Sequence, residues 1–128
     1  EICTYNNSQP NNAPWDIEWS ADSKLIASVT DKGCTVWNAN RGAIVALRYT
    51  QYRDFIAWHP QRPYIASLRH SVTDNSDSEQ AYIWDATTAK KLIQLNSNVF
   101  DEAAWSPDGM RLAISTEDQA VQIWQVWQ

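Results

Sequence analysis

Residues 105–124 read W-S-P-D-G-M-R-L-A-I-S-T-E-D-Q-A-V-Q-I-W, and they decide the fold because their pattern occurs twice upstream. W-S-A-D-S-K-L-I-A-S-V-T from Trp19 and W-H-P-Q-R-P-Y-I-A-S-L-R from Trp58 overlay the start of that stretch without a gap for eleven residues. Ile26, Ile65 and Leu112 coincide, as do Ala27, Ala66 and Ala113. A second tryptophan closes each unit, in T-V-W-N at Trp37, Y-I-W-D at Trp84 and Q-I-W-Q at Trp124. The first tryptophans are 39 and 47 residues apart, near the period of propeller blades. The longer spacing carries an insert between Arg69 and Ala81. Ser71–Gln80 holds no apolar residue except Val72 and is expected to be a loop.

Local pattern fills in each unit. Ile17–Trp19, Phe55–Trp58 and Ala103–Trp105 run into polar turns marked by Pro60, Pro63, Pro107, Asp108 and Gly109. Leu25–Val29, Tyr64–Leu68 and Arg111–Ser115 are short runs rich in branched residues, the length of strands and not of helices. Third strands end at the second tryptophans, and fourth strands are expected at Ala43–Leu47 and Leu92–Leu95. No stretch has helical spacing long enough to compete, so the chain is predicted to be all-β.

At 128 residues the chain suffices for one domain, and 44% hydrophobic with 20% charged residues is ordinary for a folded protein. Fifteen acids against ten bases give a net charge of −5 with no basic cluster, which argues against nucleic acid or anionic membrane as partner. The longest uncharged apolar stretch, Gly42–Leu47, is too short to span a bilayer. A soluble protein is expected, with the cytoplasm preferred. Two cysteines, Cys3 and Cys34, are too few for a disulfide framework and read as unpaired thiols.

The 105–124 run and the Y-I-W-D run resemble WD40 repeats, whose blades form β-propellers, and the resemblance covers about 90% of the chain. It implies three blades, at 15–50, 54–95 and 99–128, and makes Trp19, Trp37, Trp58, Trp84, Trp105 and Trp124 packing residues within and between them. Asp118 stands where the family has its turn aspartate, six residues before the tryptophan, with Asp31 and Ser78 in the matching places. The family's Gly-His pair is missing from all three repeats, so its His-Ser-Asp-Trp hydrogen-bond tetrad cannot be complete. Only Trp84-Asp85 keeps the dipeptide that names the family.

Three blades are fewer than the four to eight of typical propellers, so an apolar blade face is left open at each end of the arc. Past Trp124 the third blade has no outer strand, while residues 1–5 (Ile2, Cys3, Thr4 and Tyr5 after the first glutamate) alternate as a strand where a fourth strand would stand. The expectation is head-to-tail closure by strand exchange between copies, with a homodimer of six blades preferred and a homotrimer of nine next. A fragment of a larger propeller is the alternative. Trp15, Val126 and Trp127 lie near the chain ends and outside the repeat, and are expected at the subunit joint.

Catalysis has little to rest on. No nucleophile elbow, phosphate-binding glycine loop, His-Glu-x-x-His or Cys-x-x-Cys is present, so no enzyme activity, cofactor or metal is expected. His59 takes the turn position of Ser20 and Ser106 and reads as a surface residue. His70 opens the acidic loop of Asp74, Asp77 and Glu79, and Tyr49, Tyr52 and Arg53 connect blades one and two. These seven residues are the candidate contacts for an unknown protein or peptide, basic or polar to suit the loop. WD40 propellers are usually non-catalytic platforms for protein assembly, which makes an interaction scaffold the implied function. A structural fragment, or a ligand-binding or enzymatic propeller using the 70–80 loop, is the alternative.

Overall fold

The computed structural model describes residues 3–4, 12–49, 53–70, 81–97 and 99–127; the side chains of Arg53, His70 and residues 99–101 lie outside that set. Eleven strands and no helix occur among the described residues. Blade one is an antiparallel sheet of β1 (Asp16–Trp19), β2 (Leu25–Thr30), β3 (Gly33–Asn38) and β4 (Ile44–Tyr49), paired in that order. Blade two repeats it with β5 (Arg53–Trp58), β6 (Tyr64–His70), β7 (Ala81–Asp85) and β8 (Lys91–Leu95). The third sheet has three strands, β9 (Val99–Trp105), β10 (Arg111–Thr116) and β11 (Val121–Gln125), with β10 in the middle. Each strand lies within a few residues of its expected place.

The turns follow from short polar side chains. Ser20 Oγ accepts the Leu25 N–H at 2.9 Å and donates to Asp22 Oδ1 at 2.7 Å, which in turn accepts the Lys24 N–H. Ser106, Asp108, Met110 and Arg111 repeat this arrangement in blade three. After the second tryptophans, Asn38 Oδ1 accepts the N–H groups of Asn40 and Arg41, and Asp85 Oδ1 those of Thr87 and Thr88.

Alternation along the strands sends neighbouring residues into different joints. In blade two, Ile56, Trp58, Ile65, Tyr82 and Trp84 join a core with blade one, whereas Ala57, Ala66, Leu68, Ala81 and Ile83 join a core with blade three. Each blade therefore turns its bulky face to the blade before it and its smaller face to the blade after. Leu112 and Ile114 bring the same bulky face of blade three onto blade two.

Within blade two, Trp84 Nε1 donates to Ser67 Oγ at 2.7 Å, both fully buried. By position Ser67 corresponds to Ser28 in blade one and Ile114 in blade three. Ile114 offers no acceptor, and the buried Nε1 of Trp124 has no hydrogen-bond partner. Asp118 lies in the exposed β10–β11 turn and takes a hydrogen bond from the Thr116 hydroxyl. Ser67→Ala strands the Trp84 N–H in an apolar core, and a loss of about 1–3 kcal/mol in urea unfolding is expected.

Candidate functional site

The surfaces of a propeller are held in place by the joints between its blades. At the seam between blades one and two, β5 is the inner edge strand of its sheet, with N–H groups facing out of the ladder. Two carboxylates of β1 meet them: Asp16 Oδ2 accepts the Ile56 N–H at 3.1 Å and Glu18 Oε2 the Trp58 N–H at 2.7 Å. Burial raises the Glu18 pKa, opposed by the Trp58 N–H and assisted by the charge of Asp16. Trp15 Nε1 crosses the same seam to the Asp54 carbonyl at 3.1 Å. Together with Phe55, Glu102 and Ala103, these inner residues line a pocket of about 330 Å³ that touches all three blades.

Deeper in that joint Asp54 is almost wholly enclosed, 1% exposed. Tyr82 Oη donates to its Oδ2 at 3.2 Å, and Arg69 Nε stands 3.7 Å from Oδ1, close enough for charge attraction but too long for a hydrogen bond. Burial outweighs these partners and pushes the Asp54 carboxyl up to about 6. Arg48 of blade one spreads over the Tyr82 ring at 4.4 Å and donates to the Ala89 carbonyl at 3.2 Å.

Blade two presents Phe55 and Ala57 where blade one has Asp16 and Glu18, so the second joint is held differently. Trp105 Nε1 donates to the Ala57 carbonyl at 3.0 Å. His59, expected at the surface, is instead buried at 2% exposure and reaches blade three. Its Nδ1 accepts the N–H groups of Gln61 and Arg62, both at 3.0 Å, which leaves Nε2 to donate to the Gly109 carbonyl at 3.1 Å. The serine hydroxyl of the sister turns serves its own turn; the imidazole serves its turn and the next blade. Burial lowers the His59 pKa and keeps the ring in this neutral form.

Trp15, Val126 and Trp127, expected at a subunit joint, also have contacts within the chain. Trp15 packs on the first core and Val126 and Trp127 on the second. Trp127 stacks on Trp105 with centroids 5.5 Å apart and meets the His59 ring edge-on at 5.4 Å. Of the described part of the N-terminal segment, Cys3 and Thr4 are not in a strand, and Cys3 Sγ lies 3.2 Å from the Ala39 carbonyl of blade one. Ile2 and Tyr5 lie outside the described residues. Both cysteines are free thiols, with Cys34 buried.

Two faces remain open. Trp19, expected in the core, is 57% exposed and Ile17 58%, with no blade packed on them among the described residues; Trp58, the counterpart of Trp19, is 9% exposed inside a joint. At the other end Val121 and Ile123 are 68% and 69% exposed, against none for Ile83, the counterpart of Ile123. Trp37, Trp105 and Trp124 are partly buried. On the rim formed by the β2–β3 turn, Tyr49 is 80% exposed at the end of β4. Tyr52, Asp74, Asp77 and Glu79, with the side chains of Arg53 and His70, lie outside the described residues.

Sequence reading missed Asp16, Glu18, Asp54 and the inward turn of His59. The alternation Asp16-Ile17-Glu18-Trp19 is the signal that could have found the first two: charges at every second place of a strand belong on its other face.

Two predictions follow from the seams. A Cβ on Gly109 (φ +72°) would fall on the His59 ring. Gly109→Ala is therefore expected to cost about 2–4 kcal/mol in chemical unfolding, but only about 1 kcal/mol in a His59→Ala background, where the left-handed backbone alone is strained. For Asp54 the folded pKa lies above the unfolded one, so its contribution is most favourable below about pH 4 and is lost as pH rises through about 6. The Tm of the native chain relative to Asp54→Asn should fall between pH 4 and 7, by an amount on the order of 2–3 kcal/mol in stability.

Against known proteins, the family model "WD domain, G-beta repeat" matches residues 2–38 and 94–125. Among solved structures, a chain in the "Crystal Structure of Mitotic Checkpoint Complex" is similar with a TM-score of 0.70 at 24% identity over 88% of this chain. One in the "Crystal structure of RRP9 WD40 repeats" gives 0.72 at 17% over 92%, and one in the "Crystal structure of the eukaryotic initiation factor" 0.67 at 11% over 93%. This chain spans 37%, 37% and 30% of theirs, respectively. The blades agree with those structures and the repeat pattern with the family model over more than half of the 128 residues, and the chain belongs to the WD40-repeat family of β-propeller proteins.

Proposed function

We propose that this chain is a non-catalytic protein-interaction scaffold whose arc is completed head to tail by further blades. The observation that carries the reading is the pair of open faces. Ile17 and Trp19 are the exposed β1 part of the bulky face that blades two and three bury against a predecessor, with Ile26, Ser28 and Thr35 of the same face buried; Val121 and Ile123 belong to the smaller face that blades one and two bury beneath a successor. Each face matches what the internal joints use, so the complement of one end is the other end of a like molecule. Six blades from two copies are preferred, nine from three come next, and the outer edge of β11, unpaired among the described residues, gives residues 1–5 of another copy a strand to pair with.

A scaffold role rests on the WD40 family, whose propellers are generally platforms for protein partners and not enzymes. On this reading the rim of Tyr49, Tyr52, Arg53, His70, Asp74, Asp77 and Glu79 receives a basic or polar peptide, in keeping with its acid. A second reading, that the remaining blades belong to a longer protein, is favoured by the chain spanning little more than a third of the WD40 chain it resembles.

Light scattering over a dilution series separates the two. A sharp mass at two or three times 14.7 kDa, reduced to the single mass by Ile123→Asp, is the expected outcome. A monomer, or polydisperse aggregate, at every concentration overturns head-to-tail closure and selects the longer protein.

A further inference from the structure

The two joints carry equivalent grooves at the rim formed by the β1–β2, β5–β6 and β9–β10 turns, opposite the rim of Tyr49. One is filled and the other is open. At the joint of blades two and three, Trp127 occupies the groove: it stacks on Trp105, lies 5.5 Å from the Tyr64 ring and edge-on to His59, and carries the Arg62 guanidinium 5.3 Å above it. Its N–H and that of Val126 both reach the Met110 carbonyl.

The repeat gives each wall a counterpart at the joint of blades one and two. Trp58 stands for Trp105, Leu25 for Tyr64, Ser20 for His59 and Asp22 for Gln61, and these four line an open groove of about 540 Å³. The counterpart of Trp127 itself, three residues past the second tryptophan, is Thr87, too small to fill it. Trp58 also keeps its indole N–H without a protein partner, whereas Trp105 donates to Ala57.

Charge distinguishes the open groove from the filled one. Gln61 is replaced by Asp22, whose carboxyl is held below its ordinary range by the Ser20 hydroxyl and the Lys24 N–H. Arg62, the cation above Trp127, has Ser23 as its counterpart. Arg62 itself lines the open groove from the blade-two side, with its guanidinium turned over Trp127 and Tyr64. The open groove thus has an aromatic wall, a vacancy the size of a large side chain, and an anion where the filled one has a neutral amide.

We propose that the groove between Trp58, Leu25, Thr87 and Asp22 binds a large aromatic side chain of a partner peptide, with a basic residue beside it meeting Asp22. Trp127 is the internal stand-in for that ligand. The site lies in the joint of blades one and two, apart from Val121 and Ile123 and from Ile17 and Trp19, and its outcome does not depend on theirs.

The test is an NMR titration of the full chain with a short blocked peptide containing Trp followed by Lys, compared with versions carrying Ala for the Trp or Glu for the Lys. Saturable shifts of the Trp58 indole and Thr87 amide signals are expected with the first peptide, with affinity at least tenfold weaker for the Ala version and several-fold weaker for the Glu version. Thr87→Trp should plug the groove and weaken binding at least tenfold. Asp22→Lys, a substitution at an exposed turn, should reverse the preference between Lys and Glu versions and serves if Thr87→Trp does not fold. Absence of saturable shifts, equal binding by Thr87→Trp, or no reversal in Asp22→Lys overturns the proposal. So do shifts of the Trp58 and Thr87 signals that follow protein concentration without peptide in the Ile123→Asp variant, which would make a second copy the occupant.

Discussion

A twisted sheet with apolar side chains on both faces has no stable existence alone, and in this molecule the packing of one blade's bulky face on its predecessor governs everything else. The alternation that sends Trp58 and Ile65 one way and Ala57 and Ala66 the other makes blade two a two-sided wedge, buried at both joints. Among the described residues, blades one and three each have a single joint. The exposed tryptophan at one end and the exposed isoleucine at the other are the same packing rule seen where its second partner stops, not separate features.

The two joints solve one problem with different chemistry. Stacking sheets face to face leaves the inner strand of each blade with polar groups that must be met. The first seam meets them with carboxylates of β1 and places a buried Asp54 beside Tyr82 and Arg69. The second, with Phe55 and Ala57 in those places, relies on an indole, a neutral imidazole and an aromatic stack. Acid and base therefore act on different seams: a raised carboxyl relieves the first as pH falls, whereas a suppressed imidazole loses its advantage at the second below the usual histidine range. The arc is held by two hinges of unlike pH response.

Much of this was legible in the residues, and the part that was not has a common cause. Strand positions and the serine turns follow from local alternation and from side chains bonding their own backbone, information that sits within a few residues. The fates of Trp19, Trp15, Trp127 and His59 depend on which blade stands next to which. Repeat position assigned Trp19 to a core it would occupy only with a preceding blade. His59, aligned with two serines, looked like a turn residue because nothing local shows that an imidazole reaches a glycine fifty positions away. The seam carboxylates were hidden for the same reason: a charge on a strand looks solvated until the neighbouring edge is known.

The ladders of the outer strands have one irregularity in common. In blade one the pairing of β3 with β4 steps from Val36 opposite Ala46 to Trp37 opposite Ile44, passing over Val45. In blade two it steps from Ile83 opposite Ile93 to Trp84 opposite Lys91, passing over Leu92. Both sheets thus carry a bulge beside the second tryptophan, and a bulge moves every later side chain of its strand to the opposite face. β11 has the same tryptophan and an unpaired outer edge among the described residues. A segment that completes the third blade on the pattern of the other two must therefore run antiparallel to β11 with one supernumerary residue opposite Ile123–Trp124. A strand of perfect two-residue alternation would match on one side of that point and fall out of phase on the other, so the edge discriminates among strands by phase as well as by composition.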